Sequence, residues 1–425
     1  MNGLVALAAL SLSAWIYLVL AHGRFWRCDQ RLTGREPAPA RWPSVTAVVP
    51  ARDEVALIPA TLRSLLDQDY PGVFRIVLAD DESSDGTGDA ARALARDHPN
   101  GARVTVARTP ERPPGWVGKM WAVETGVRTA REAAVPEYWL LTDADVAHGR
   151  DSVRRLVAKA EADRLDLVSQ MVLLHAGRSW DALLVPAFVY FFQKLYPFAR
   201  VNDPRSRTAG AAGGCVLVRS DALARAGGIE ALRGEVIDDC ALGRAVKRGG
   251  PIWLGLSTSE RSIRPYAGVT DVWNMVARSA FTQLRQSPWI VAGTIVGLAL
   301  LYLVPPLTVL SWPLHRNGLA AGLALAGDVG GPAEAVVRIE LVHVLERVPC
   351  AVHRAEILVA YAFDVVDHVH VESGFPEPSA EVGERVFGPL AIQVLASWKW
   401  FVREVEGPWA AGKRRGQFAF VHSDR

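Results

Sequence analysis

The sequence predicts an α/β protein: a mainly parallel sheet with helices on both faces, joined to membrane-spanning helices on its N- and C-terminal sides. Three observations carry this. Between residues 44 and 174, short β-branched runs alternate with longer amphipathic stretches. Two of those runs end in acidic residues, and a third is followed at once by Arg52, Asp53 and Glu54. Two long segments, residues 3–20 and 289–314, contain no charge at all.

The strands are expected at "SVTAVVPA" (44–51), "RIVLADD" (75–81), "RVTVAR" (103–108), "YWLLTDAD" (138–145) and "LDLVSQMVLL" (165–174). Ala-, Leu- and Arg-rich helices separate them near 55–67, 85–97, 119–133 and 150–162. Such βαβα alternation builds a parallel sheet covered on both sides. In such sheets ligands bind beyond the carboxyl ends of the strands. That edge receives Arg52, Asp53 and Glu54, then Asp80 and Asp81, then Asp143 and Asp145. A strand carried through residue 145 projects alternate side chains to one side, so Asp143 and Asp145 point together. Two anions so placed need a positive partner, which leaves a metal ion, a lysine or only water. Further on, "TAGAAGGCVLVRS" (208–220) reads as a glycine-rich loop entering a strand. "VIDDCALGRAVKRGG" (236–250) reads as an amphipathic helix with acids at its start and glycines to stop it.

The chain has 425 residues and a formal net charge of +2. That balance lacks the basic field of a nucleic-acid binder, so no nucleic-acid partner is expected. Both uncharged runs are long enough to cross a hydrocarbon core of about 30 Å. No Lys or Arg precedes the first, whereas Arg24, Arg27, Arg31, Arg35 and Arg41 follow it. That asymmetry favours a retained anchor over a cleaved signal, with the following domain in the cytoplasm and the chain in the inner membrane. The second run, preceded by Arg278 and Arg285, leaves the cytoplasm again, with a kink at Pro305 and Pro306. Four cysteines form no C-x-x-C pair, which suits a reduced compartment.

Five segments in this order, "VVPARDE" (48–54), "LADDESSDGT" (78–87), "GKMWAVETG" (118–126), "TDAD" (142–145) and "DDCALGRAVKRGG" (238–250), resemble the family 2 glycosyltransferases. The resemblance covers roughly residues 44–285. It implies a GT-A-type, Rossmann-like sheet and a nucleotide-sugar donor. The N-terminal anchor, "GWVGKMWA" (115–122) and "ARSAFTQLRQS" (277–287) look most like the hopanoid-associated subgroup called HpnB.

The resemblance also implies roles. Asp143 and Asp145 would be the D-x-D pair holding Mg²⁺ or Mn²⁺ against the donor diphosphate, a task suited to hard oxygen ligands. Their plain alternative is a cap for the following helix. Asp81 would contact the base or ribose, with Arg52 and Glu54 framing the base pocket. Asp85 reads instead as a helix cap, and Asp80 stays open between the two. Lys119 would reach the donor phosphates; its plain reading is a solvated first-turn lysine. Asp239 would be the general base of an inverting transfer, with Asp238 beside it. Two acids also fit an ordinary helix start. Arg278 is all that remains of a (Q/R)-x-x-R-W motif, since Trp273 lies too early. That departure favours one-step transfer over extension of a polymer.

The expected organisation is an anchor and basic linker (1–43), a GT-A domain (44–285), a transmembrane segment (286–314) and a divergent tail (315–425). The tail is acidic over 328–385, with eleven Asp or Glu against four Arg, and approaches the membrane again at 386–402. Its "DVVDHVH" (364–370) has a metal-ligand look that amphipathic coincidence also explains. "DALLVPAFVYFFQKLYPFAR" (181–200) reads as an interfacial helix lining a path from the lipid bilayer. A membrane lipid acceptor follows, with a hopanoid named only by the resemblance. A processive polysaccharide synthase and a non-catalytic membrane scaffold are the competing readings.

Overall fold

The computed structural model describes residues 2–175, 181–235, 237–266, 268–284 and 287–329. Both tail features, 364–370 and 386–402, lie outside the described residues.

The strands are β1 (Val45–Ala51), β2 (Phe74–Asp80), β3 (Val104–Arg108), β4 (Tyr138–Thr142), β5 (Val146–Ala147), β6 (Leu167–Leu173), β7 (Cys215–Arg219) and β8 (Ile252–Ser262). They form one eight-stranded sheet in the order β3-β2-β1-β4-β7-β6-β8-β5. β1, β2, β3 and β4 are parallel, and β6 is parallel to β8. β7 is antiparallel to both its neighbours, and the two-residue β5 is antiparallel to β8. The sheet is therefore mixed, with its parallel part where the sequence places it.

The helices are α1 (Asn2–Ile16), α2 (Ile58–Leu66), α3 (Thr87–Asp97), α4 (Gly118–Ala133), α5 (Ser152–Ala162), α6 (Asp181–Leu195), α7 (Phe198–Val201), α8 (Ser220–Arg225) and α9 (Asp238–Lys247), followed by α10 (Val269–Gln283), α11 (Pro288–Leu298), α12 (Val304–Leu310), α13 (Trp312–His315) and α14 (Gly318–Val329). Two cores result, one on each face of the sheet. Ile58, Leu62, Leu65 and Leu66 of α2 pack with Leu156 and Val157 of α5 on one side. Met120, Val123 and Val127 of α4 pack with Cys240, Leu242 and Val246 of α9 on the other. A strand covered on both faces needs no polar alternation, and β1 is almost wholly buried.

β1 contains Pro50, which a central strand ordinarily excludes because it cannot donate to the ladder. β4 pairs with β1 only from Val45 to Val48. Pro50 therefore sits where the ladder on that side has already ended, and the gap opens into the cavity described below.

Gly3–Ala21 and Pro288–Leu310 are long and apolar enough to cross a membrane. Only 6% of the second is buried within the protein, so it is not a core helix. A π-helical stretch, Ala299–Leu303, precedes Pro305 and Pro306, as expected where prolines interrupt the bonding pattern. Pro305 has no N–H for the carbonyl of Leu301. Trp15 Nε1 of α1 donates to that carbonyl instead, at 3.0 Å, satisfying a backbone acceptor that the proline cannot.

Close approach of α4 to β1 depends on Gly126, where an added Cβ would lie 2.5 Å from Val48 Cγ1. Gly126→Val is expected to cost about 1–3 kcal/mol through overpacking. Thermal unfolding of the detergent-solubilised chain checks this, and an unchanged midpoint would refute the packing.

Candidate active site

Strand direction decides where the polar residues gather. β1, β2, β4, β6 and β8 end at one edge of the sheet, and the reversed β7 begins there. A cavity of about 940 Å³ opens at this edge.

The loops after β1 and β2 are tied together first. Ser84 donates through N and Oγ to Asp53 Oδ1, at 2.8 and 3.2 Å. Asp85 accepts the N–H groups of Val55 and Thr87, each at 2.9 Å. The Thr87 hydroxyl and those N–H groups hold the Asp85 carboxyl below its usual range. Asp85 thus serves the helix start, as its sequence position indicates. Asp80, which the sequence left open, is buried and accepts the Ser83 N–H at 3.1 Å. With these acids spent on the loops, Arg52, Glu54 and Asp81 face the cavity. Asp81 accepts from Thr109 Oγ1 at 3.2 Å and lies 3.5 Å from Arg52 Nη1.

One expectation about the D-x-D segment is corrected. β4 ends at Thr142, and residues 144–145 form a turn rather than a continued strand. The turn is required because Val146 and Ala147 leave to pair with Arg261 and Ser262 of β8. The two carboxylates still line one cavity, but each holds a different cation. Lys119 Nζ lies 2.9 Å from Asp143 Oδ1 and 3.4 Å from Asp238 Oδ2. Arg264 donates from Nε to Asp145 Oδ2 at 3.2 Å and through its guanidinium to Glu54.

Lys119 is placed by the N-terminus of α4, next to Gly118, where an added Cβ would lie 3.2 Å from Asp81 Oδ2. Burial disfavours its charge, but Asp143, Asp238 and then Asp239 outweigh that and raise its pKa above the ordinary lysine value. It is not a free solvated lysine.

Asp238 and Asp239 open α9. Asp239 lines the large cavity, whereas Asp238 lines only a small adjoining pocket. Asp239 Oδ2 accepts the Gly213 N–H at 2.8 Å, and Oδ1 accepts the Cys240 N–H at 2.6 Å. Burial, then repulsion from Asp238, pushes the Asp239 carboxyl up to about 6, against the opposing pull of Lys119 and those N–H groups. A group poised there can take up a proton near neutral pH. Arg278 is carried by α10, with its side chain outside the described residues.

Sequence reasoning missed Arg264. Its signal was present, a basic residue just past a strand, but the direction of that strand was not legible. Gly213 was noticed only as part of a loop. Phe188 and Phe192 of α6, one helical turn apart, also line the cavity. The other side of α6 meets the candidate span Pro288–Leu310, with Tyr302 donating to Tyr190 and Lys194 Nζ to Tyr302, both at 3.2 Å.

Of the charged side chains lining the cavity among the described residues, six are acids and three are cations. No group of three or more His, Cys, Asp or Glu there is arranged to hold a metal alone. Two carboxylates with an excess of negative charge fit a hard divalent cation that completes its shell with phosphate oxygens.

Residues 46–227 match the family model described as "Glycosyl transferase family 2". That stretch is thus similar to the family 2 glycosyltransferases, which are enzymes. No curated protein matches the sequence significantly. Similar solved structures include a mannosyltransferase from Pyrobaculum calidifontis in complex with GDP-Man and Mn²⁺. It is 20% identical, with 86% of this chain and 98% of that one covered and a TM-score of 0.47. A mannosyl-3-phosphoglycerate synthase from Rubrobacter xylanophilus is 16% identical over 63% of this chain and 84% of its own, at a TM-score of 0.38. S. aureus TarS residues 1–349, in complex with UDP-GlcNAc, is 15% identical over 72% and 91%, also at 0.38.

Lys119→Gln removes a cation that opposes protonation of Asp239, so the Asp239 pKa should rise above about 6. An infrared carboxylate titration of Lys119→Gln, with Lys119→Gln/Asp239→Asn as reference, reads that group. An unmoved titration would show that Lys119 does not act on Asp239.

Proposed function

We propose that the chain is a membrane-bound inverting glycosyltransferase that moves a sugar from a nucleotide-sugar donor to a membrane lipid. The observation that carries this is the reach of one cavity. It runs from Asp143 and Asp145 past Asp239 to Phe188 and Phe192, on a helix whose far side touches the candidate membrane spans. A water-soluble acceptor has no need of an aromatic wall continuous with a membrane helix. A hopanoid or similar polycyclic lipid rests on the sequence resemblance to the HpnB subgroup.

On this reading Asp81, Arg52 and Glu54 receive the nucleoside. Asp143 and Asp145 hold Mg²⁺ or Mn²⁺. When bound, that cation supplies charge neutralisation for the diphosphate as it leaves. Lys119, at a helix N-terminus that itself favours anions, contacts the phosphates. Asp239 removes the proton from the acceptor hydroxyl. That oxygen forms a bond to the anomeric carbon while the bond from this carbon to the phosphate oxygen breaks on the opposite face. The nucleoside diphosphate departs with the bonding electrons. Asp238 neighbours the base and keeps Lys119 in place. Arg278 is proposed to assist on the acceptor side.

Asp239 acts as a carboxylate, so kcat/KM should be full above its pKa and fall as pH drops through about 6. Asp239→Asn should lower turnover by roughly 10²-fold or more while leaving nucleotide-sugar binding close to normal. Near-wild-type turnover in that variant would move the base elsewhere.

The acceptor is tested by incubating the full chain in vesicles with radiolabelled nucleotide sugars, with and without a membrane-lipid extract. Transfer should depend on the extract, and the product should carry its label into organic solvent. Label found only on water-soluble glycans would refute the lipid acceptor while leaving the transferase reading intact.

A further inference from the structure

We propose that Arg264 is a placeholder cation whose release from Asp145 couples divalent-cation binding to nucleoside-diphosphate binding. This rests on the reading of Asp143 and Asp145 as the cation's ligands.

Four acids from three parts of the chain are held by two cations. Lys119 joins Asp143 to Asp238, and Arg264 joins Asp145 to Glu54. Both carboxylates assigned to the divalent cation therefore already have a positive partner. Asp145 Oδ2 accepts from Arg264 Nε at 3.2 Å and from Ser262 Oγ at 3.0 Å. A Mn²⁺ or Mg²⁺ ion bound to that carboxylate would sit about 2 Å from an oxygen. The guanidinium would then share one carboxylate with a doubly charged ion.

The arrangement also provides for release. Arg264 keeps Glu54 when it gives up Asp145, just as Lys119 keeps Asp238 when it gives up Asp143. The Arg264 side chain is 47% exposed, against 17% for Asp145 and 15% for Glu54. The arginine is thus the mobile partner and the acids are the fixed ones. A nucleoside diphosphate supplies the anionic oxygens that a displaced guanidinium matches in fork geometry. Without that anion, the incoming cation meets an arginine with only Glu54 left to hold it. Cation and nucleotide should therefore favour each other, and by linkage each must do so by the same factor.

The test is Mn²⁺ binding followed by electron paramagnetic resonance on the detergent-solubilised full chain, alone and with UDP or GDP. The wild type should bind Mn²⁺ weakly alone and more tightly with one of the nucleotides, within the roughly 5–150-fold range usual for such coupling. Arg264→Gln should bind Mn²⁺ alone at least about 5-fold more tightly than the wild type and lose most of the coupling. Arg264→Lys, which keeps a cation, should bind Mn²⁺ alone as weakly as the wild type. An Arg264→Gln chain that binds Mn²⁺ alone no better than the wild type overturns the placeholder role and leaves the metal reading standing. Nucleotide-independent Mn²⁺ affinity in the wild type overturns it as well, whether or not the variant folds. No Mn²⁺ binding under any condition removes the metal reading and this proposal with it.

Discussion

Everything at this sheet edge depends on how a surplus of carboxylates is kept from repelling itself. Acids arrive from β1, β2, β4 and α9, and only Arg52, Lys119 and Arg264 answer them along the cavity. Lys119 and Arg264 each bridge residues far apart in sequence, so they hold the edge together as well as balance its charge. A site with this excess would repel a diphosphate. On the proposed function it needs added positive charge before an anionic donor becomes a favourable guest, and two hard carboxylates would supply the place for it.

The second constraint comes from the apolar end of the cavity. α6 presents Phe188 and Phe192 to the cavity and Tyr190, Phe191 and Lys194 to the candidate spans. Phe188 and Phe192 are one turn apart, as are Tyr190 and Lys194, so each pair shares one face of the helix. The far side is held by specific bonds, from Lys194 Nζ to the Tyr302 hydroxyl and from that hydroxyl to Tyr190. A helix fixed on that side can keep its aromatic wall in register with the carboxylates.

The parallel part of the sheet was legible because buried strands and amphipathic helices leave different periodicities. Asp81, Lys119, Asp143, Asp145 and Asp239 were legible as polar residues just past strands or at helix starts, and they do line one cavity. The turn at residues 144–145 was not, since it arises from β5 pairing with β8 more than a hundred residues later. Arg264 was hidden for the same reason. Its position at the edge follows from β8 lying parallel to β6, a long-range fact with no local signature. α14 went unread because a short Ala- and Leu-rich run after residue 315 carries no membrane-length signal. Its packing on α1 supplies the stability that its length does not.

Chain reversal at β7 explains how the proposed donor and acceptor functions can be divided on one edge. A sheet parallel throughout would bring only strand ends and helix starts to this edge. Because β7 runs the other way, it brings its own beginning, and with it Gly213, to the Asp239 carboxylate. The match to the family ends at residue 227, before both Asp239 and Arg264. The half proposed to face the nucleotide therefore lies within the matched region, while the proposed base and the arginine on Asp145 come from chain beyond it. Those two residues nevertheless share the cavity with the matched half because α9 and β8 return to the same edge. The chemistry proposed here is a property of that return, not of any one motif.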